Sequence, residues 1–207
     1  MCIRDSHDAG PHRVGADGGG AVHGADRLVL SPTDLTRFLG CAHASALDVE
    51  VALGRRPRPA DGVDEQLAFI AARGLSHERA YLARLRESGR QVVEIPRDRD
   101  PAAAEAATVA AMAAGASAIY QGTLFDGTWL GYADFLLRRD LAPGEPRSRY
   151  GDWAYDLVDT KLARHLSAAA LLQLATYAER LETLQGVPPA RLVVVTGDGV
   201  ERSWRLA

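Results

Sequence analysis

A change in hydrophobic period at Ala118 constrains the fold of this chain more than any other feature. Before it, apolar residues recur at helical spacing over 64–87, and an alanine-rich helix is predicted over 101–114. After it, the pattern over 118–138 is that of two strands joined by a turn at Asp126 and Gly127, which predicts a β-hairpin. Helical and strand segments therefore alternate along the chain, and this order predicts an α/β fold.

The remaining segments extend this layout to a mixed sheet with helices on both sides. Helices are predicted after Ser31, which supplies an N-cap before a first helical proline, and over 167–185, where Gly186 ends the pattern. The other strands are predicted over 91–95, 153–161, 191–196 and 200–205. The strand over 153–161 is apolar in part on both faces, so we expect it to lie centrally. A chain of 207 residues fits one domain with one sizeable core.

The first 27 residues are expected to form a disordered tail. The run from Gly15 to Gly24 holds five glycines and few apolar side chains, which cannot offset the entropy of ordering. The six residues from Met1 to Ser6 resemble the translation of a sequencing-library adapter, so we do not expect them to be native. The folded domain is therefore expected over 28–207.

Composition and charge exclude several classes of protein. Apolar residues make up 47% and charged residues 25%, the balance of a soluble globular domain, and no stretch approaches the roughly 18 apolar residues of a membrane helix. No secretory signal is visible and two cysteines cannot form a disulfide framework, so a cytoplasmic location is expected. The net charge of −3 lacks the basic footprint of bulk electrostatic binding to nucleic acid. It remains compatible with an enzyme that holds a strand locally around metal ions.

Lys161 is the only lysine among 24 basic residues. Arginine and lysine are both well solvated at surfaces, so a position that keeps lysine in an arginine-rich chain indicates a need for a compact ammonium. The alternative is that one lysine survived by chance.

Two carboxylates are expected beside this lysine. Asp159 and Lys161 lie two apart in a predicted strand, so their side chains share a face, and Asp134 ends a neighbouring strand. Two carboxylates at adjacent strand ends suit Mg²⁺ or Mn²⁺, and an ammonium beside them can hold a phosphate oxygen or orient a water. The alternative is a structural ion pair between Asp159 and Lys161 at a strand end.

Candidate residues on the helices carry less information. Gln173 and Tyr177 lie four apart and share a helix face, but spacing alone favours a core tyrosine and a solvated glutamine. His77 offers an imidazole that suits Mn²⁺, although a lone histidine on an amphipathic helix is more often a surface or core residue. Cys41 and His43 are too sparse for a zinc site, and a buried thiol is expected at Cys41.

In their order along the chain, several segments resemble the RecB-like nucleases of the PD-(D/E)xK superfamily. The matching segments are LSPTDL (30–35), RGLSHE (73–78), IYQGTLFDG (119–127), GYADFL (131–136), DTKLAR (159–164) and ALLQLATY (170–177). Each motif alone is weak, whereas all of them in order are specific, and the resemblance covers roughly residues 28–205. It implies a restriction-endonuclease-like core, which the chain is expected to hold in a form truncated at its C-terminus.

The resemblance also implies roles for individual residues. The implied metal ligands are His77, Asp134, Asp159 and the backbone carbonyl of Thr160. The implied catalytic set is Asp134, Asp159, Lys161, Gln173 and Tyr177, with Lys161 positioning the attacking water or stabilising the phosphate. Tyr177 and Arg164 are expected to contact nucleic acid, and Glu78 to be a supporting or alternate acid.

The implied function is a Mg²⁺- or Mn²⁺-dependent deoxyribonuclease of exonuclease type, acting in DNA repair, with DNA as partner and a fused or associated helicase. Relatives often hold an iron–sulfur cluster, and Cys41 matches its first ligand. Because the other three cysteines are absent, a cluster is expected only in a full-length form. A non-catalytic nucleic-acid-binding module is the main alternative. A small-molecule α/β enzyme is less favoured, since no glycine-rich phosphate loop or nucleophile elbow occurs.

Overall fold

The computed structural model describes residues 12–13, 28–57, 65–98 and 100–205. In chain order the elements are β1 (His12–Arg13), β2 (Leu28–Val29), α1 (Pro32–Gly40), α2 (Ala42–Ala52), α3 (Glu65–Glu87), β3 (Val92–Glu94), α4 (Pro101–Ala113), β4 (Ala118–Phe125), β5 (Leu130–Asp140), β6 (Trp153–Lys161), α5 (Ala168–Gln185), β7 (Arg191–Thr196) and β8 (Glu201–Arg205). The predicted α/β fold is confirmed.

The central sheet is mixed and has six strands in the order β3-β4-β5-β6-β7-β8. The pairs β3–β4 and β6–β7 are parallel, and the other neighbours are antiparallel. The predicted hairpin is β4–β5, and β6 lies inside the sheet as expected. Six consecutive residues of β6, 154–159, are buried, which is typical of a strand covered on both faces.

Helices cover both faces of the sheet, as predicted. On one face α3 packs Tyr81, Leu82 and Leu85 against the strands. On the other face α4 and α5 contribute Met112, Leu174 and Leu181 to a second core cluster. Full burial of one such side chain contributes roughly 1.5–3 kcal/mol, so these two clusters hold the helices in fixed positions over the sheet.

Local signals determine where two of the helices begin and end. Ser31 caps α1: its hydroxyl accepts from the N–H of Asp34 at 3.4 Å, and the Asp34 carboxylate accepts from the N–H of Ser31 at 2.7 Å. This is a reciprocal capping box. Gly186 ends α5 in a left-handed conformation with φ of 78°, which costs glycine little.

One expectation needs correction. Cys41 is exposed and not buried, because it lies between α1 and α2 and its Sγ caps α2 by accepting from the N–H of Ala44. Within the tail, the structure describes His12 and Arg13, where β1 pairs with β2 in antiparallel fashion. The other tail residues expected to be disordered, including those from Met1 to Ser6, lie outside the described residues.

None of the helices in the described part of the chain is long and apolar enough to span a membrane.

The Tyr155 hydroxyl gives a pH-dependent test of this core. It is fully buried and donates to the carbonyl of Ala116 at 2.8 Å, and burial raises its pKa to about 12. Because the unfolded pKa is about 10, the unfolded chain loses this proton first, so the stabilisation is complete below pH 10 and declines above it. Tyr155→Phe should cost about 1 kcal/mol at neutral pH, and its deficit relative to wild type should shrink above about pH 10. Urea unfolding of both proteins across this range measures the difference, and a deficit that grows with pH would contradict it.

Candidate functional site

Strands β5 and β6 stop pairing where the candidate acids lie. Their ladder runs from Asp140 opposite Trp153 to Phe135 opposite Val158. Beyond this point β6 continues to pair with β7 as far as Lys161. Asp134 and residues 159–161 therefore flank the place where the two strands separate. The prediction that Asp134 ends its strand is wrong: Asp134 lies inside β5, which continues to pair with β4 as far as Leu130.

The side chain of Asp134 bridges this separation. Its Oδ2 accepts from the backbone N–H of Thr160 at 2.8 Å and from the Thr160 hydroxyl at 2.7 Å. The carboxylate thus satisfies a strand N–H that the backbone of β5 no longer pairs. It is also held against the peptide that joins Asp159 to Thr160, so the structure brings two of the predicted site residues to one point.

Asp159 and Lys161 form an ion pair, with Nζ 3.1 Å from Oδ2. The predicted shared face of these side chains is confirmed. Asp159 is 3% exposed, and a carboxylate at such a depth requires a close positive or hydrogen-bonding partner. Lys161 supplies that charge and stays partly exposed, so its ammonium remains within reach of an anionic ligand.

Helix α3 brings His77 to the same end of the sheet. Its Nε2 lies 3.1 Å from the carbonyl oxygen of Val195, which makes the ring nitrogen a donor. Val195 pairs with Thr160 across β6 and β7, so the imidazole sits beside the strand residue that Asp134 holds.

The next residue of α3, Glu78, contacts β4. It accepts a hydrogen bond from the amide of Gln121 and another from the hydroxyl of Tyr120. Burial raises the pKa of Tyr120 above its ordinary value, and Glu78 and the charge of Asp134 raise it further. The Tyr120 hydroxyl therefore stays protonated and acts as a donor beside the acidic groups.

On the other helix, Gln173 donates from Nε2 to the hydroxyl of Tyr177 at 3.1 Å, which confirms their shared face. Tyr177 is also a buried member of the core, which is the position that its helical spacing alone favoured. Its ring lies so close to Gly131 that a Cβ added there would be 2.2 Å from Cε1. Arg164 is exposed in the segment between β6 and α5.

Gln121 and its neighbours form a part of the site to which the sequence assigned no role. Gln121 has a left-handed φ of 56° and stands across from Asp134, between the pairs Tyr120–Phe135 and Gly122–Ala133. As a result, two consecutive side chains, Tyr120 and Gln121, both contact Glu78 on α3. A polar residue followed by glycine inside an apolar strand was the available signal, because such a pair indicates a bulge or a kink.

Metal binding at this site would rest on oxygen donors. In the part of the chain that the structure describes, no three His, Cys, Asp or Glu side chains gather as one metal-binding group. The donors available are the carboxylates of Asp134 and Asp159 and the carbonyl of Thr160. This set fits Mg²⁺ or Mn²⁺ because Mg²⁺ is usually held by one or two carboxylates together with waters and substrate phosphates. The ring nitrogen of His77 that faces Val195 is occupied as a donor, so its role as a metal ligand stays a prediction.

Comparison with known proteins finds no family model and no curated protein that matches this chain. Its function is therefore inferred from the geometry and chemistry of the site.

The contact between Gly131 and Tyr177 predicts opposite effects for two similar substitutions. Gly131→Ala drives a methyl group into the Tyr177 ring and should destabilise the protein by about 1–3 kcal/mol. Gly74→Ala, inside α3 with nothing within 4 Å of the added methyl group, should stabilise it by up to about 1 kcal/mol. Urea unfolding of both variants checks the pair, and equal effects would contradict the packing of α5 described above.

Proposed function

We propose that this protein is a divalent-metal-dependent nuclease that hydrolyses phosphodiester bonds, with DNA as the favoured substrate. The observation that carries the proposal is the junction where β5 and β6 separate. There the Asp134 carboxylate accepts from the N–H of Thr160, next to the ion pair of buried Asp159 and partly exposed Lys161. Acidic oxygens and one ammonium gathered at such a junction are the groups that metal-assisted phosphoryl chemistry uses.

The oxygen donors at the junction have the metal-binding role in this proposal. Asp134, Asp159 and the Thr160 carbonyl would hold Mg²⁺ or Mn²⁺. When bound, such an ion polarises the phosphoryl group and lowers the pKa of a water that attacks it. The protein's own contribution is to fix these donors. Thr160 holds Asp134 with two hydrogen bonds, and β6 is paired with β7 along its length as far as Lys161.

Lys161 is proposed to neutralise the charge that develops on the phosphate. Asp159 fixes its ammonium at 3.1 Å, so the charge is already oriented before a substrate arrives. A compact ammonium can approach a single phosphate oxygen, whereas a guanidinium is planar and wider. This accounts for a lysine in a chain whose other basic residues are all arginine.

The helices are proposed to support the site and to guide the nucleic acid. Tyr177 packs against Gly131 and fixes α5 over β5, which sets the position of the Gln173 amide. Arg164 is exposed on the segment that leads from the junction into α5 and would contact a phosphate. His77 ties α3 to β7 beside Thr160.

The finer identity of the fold belongs to the same proposal. The ordered motifs support a restriction-endonuclease-like core of the RecB-like type and an exonuclease mode, and the six-stranded mixed sheet is compatible with it. A fused or associated helicase is the partner that this family implies.

A second function, nucleic-acid binding without catalysis, is favoured by one observation. The groups expected to hold the metal already have protein partners: Asp134 contacts Thr160, and Asp159 contacts Lys161. Salt-sensitive binding without cleavage would identify this function.

Nuclease activity is tested with single- and double-stranded DNA and either Mn²⁺ or Mg²⁺. Wild type should cleave, and Asp159→Asn or Lys161→Ala should lower the rate by about 10²–10³-fold or more, as loss of a group that stabilises transition-state charge does. Asp134→Asn should act in the same direction. Asp140→Asn is the matched control, because Asp140 lies on the same strand with its side chain 82% exposed. Activity that survives both Asp159→Asn and Lys161→Ala would overturn the proposal.

Lys161→Arg separates charge from shape. The variant keeps the positive charge beside Asp159 but replaces a compact ammonium with a planar fork. We expect a cleavage rate below that of wild type and above that of Lys161→Ala, with unfolding by urea little changed. A rate equal to that of wild type would show that charge alone is sufficient at this position.

A further inference from the structure

Arg97 is stacked on Tyr132 at the edge of the site. The centre of its guanidinium lies 4.0 Å from the ring centroid, and Nη2 donates to Oε1 of Gln121 at 3.0 Å. A guanidinium stacked on an aromatic face is held in one orientation. Arg97 is nevertheless exposed, so its position is fixed while its charge is presented to solvent.

The backbone beneath Arg97 is also fixed. The buried residue Ile95 donates its N–H to the carbonyl of Tyr120 at 3.0 Å, and Pro96 follows it. The segment after β3 is therefore anchored to β4 immediately before the kink at Gln121. Arg97 follows this anchor by two residues, and Tyr132 and Gln121 hold its side chain.

The contacts with Tyr132 and Gln121 place Arg97 beside the proposed reaction centre. Tyr132 precedes Asp134 by two residues on β5, a distance of about 7 Å along the strand. Gln121, the other contact of Arg97, stands across from Asp134 between β4 and β5. Both groups that hold Arg97 are therefore close neighbours of Asp134.

The charges around the site explain why a cation is needed there. Glu78, Asp134 and Asp159 are three acidic side chains around the site, and Lys161 opposes them at Asp159, so acidic groups outnumber this ammonium where a polyanionic strand would lie. A guanidinium has five N–H donors, and its contact with Gln121 takes one of them. The remaining donors suit the bidentate recognition of a phosphate.

We propose that Arg97, held by Tyr132 and Gln121, is a phosphate-binding subsite for a nucleotide that neighbours the one at Asp134. The inference rests on the proposed function, because it assumes that a polynucleotide strand occupies the site. The proposal gives the nucleic-acid strand a path across the sheet. The path runs from the junction of β5 and β6, past β5, toward β4. Arg97 is a substrate-binding residue in this account and takes no part in the bond cleavage.

Binding in the absence of metal tests the subsite directly. A fluorescent single-stranded oligonucleotide is titrated with the full chain in EDTA at several salt concentrations. Arg97→Ala should weaken binding similarly for all sequences and reduce the slope of log K against log salt by about 0.7, the value for one phosphate contact to a single strand. Arg97→Lys should restore the slope and part of the affinity.

The matched control is Arg84→Ala. Arg84 also lies over a tyrosine, Tyr81, at 4.9 Å, so the substitution removes a comparable stacked guanidinium from a position seven residues, or about 10 Å, beyond His77 on α3. Its affinity and salt slope should equal those of wild type. If Arg97→Ala also leaves both quantities unchanged, or if the two variants weaken binding equally, the subsite is wrong.

Cleavage assays separate this proposal from the proposed function. With Mn²⁺, Arg97→Ala should raise KM and leave kcat near the wild-type value, because the contact that is lost is with a neighbouring phosphate and not with the one that reacts. If wild type binds DNA through Arg97 but does not cleave it, the subsite stands and the nuclease proposal fails. If wild type cleaves and Arg97→Ala matches it in binding and KM, the nuclease proposal stands and the subsite fails. Wild type that binds no oligonucleotide would overturn the subsite.

Discussion

The carboxylate of Asp134 holds together two strands whose backbones have stopped pairing. Beyond the Phe135–Val158 pair, the N–H of the partly buried Thr160 needs an acceptor, because a backbone donor shielded from water costs free energy when it is unsatisfied. Asp134 supplies that acceptor and so fixes the end of β6. The same contact puts a negative charge beside the buried Asp159, which is tolerable because Lys161 lies 3.1 Å away. The side chain of Asp134 thus serves twice: it satisfies the N–H of Thr160 in the sheet, and it takes part in the chemistry that we propose.

The kink at Gln121 determines which groups surround Asp134. In a regular strand consecutive side chains point to opposite faces, so Tyr120 and Gln121 could not both reach α3. The left-handed conformation of Gln121, with a cost of about 1–2 kcal/mol for a residue with a side chain, turns them to the same side. Hydrogen bonds from Gln121 to Glu78 and from Arg97 to Gln121 offset that cost. The strain is therefore located where the proposed substrate path crosses the sheet.

Local patterns in the sequence were sufficient for most of the fold and for part of the site. The bounds of β4 and β6, the cap at Ser31 and the end of α5 at Gly186 follow from periodicity and from residues with strong positional preferences. Helix α2 was not predicted, because its apolar residues are spread around the helix and give no one-sided pattern.

Within the site, shared faces were predictable for Asp159 with Lys161 and for Gln173 with Tyr177, since both pairs lie on one element. The contacts of Asp134 with Thr160 and of His77 with Val195 were not, because they join elements far apart in sequence.

Helix α3 is hydrogen-bonded to three strands of the sheet. His77 contacts β7, Glu78 contacts β4, and Tyr81 donates to Glu201 on β8. One helix thus contacts β4 in one half of the sheet and both β7 and β8 in the other, so α3 cannot shift relative to either half without breaking at least one of these hydrogen bonds.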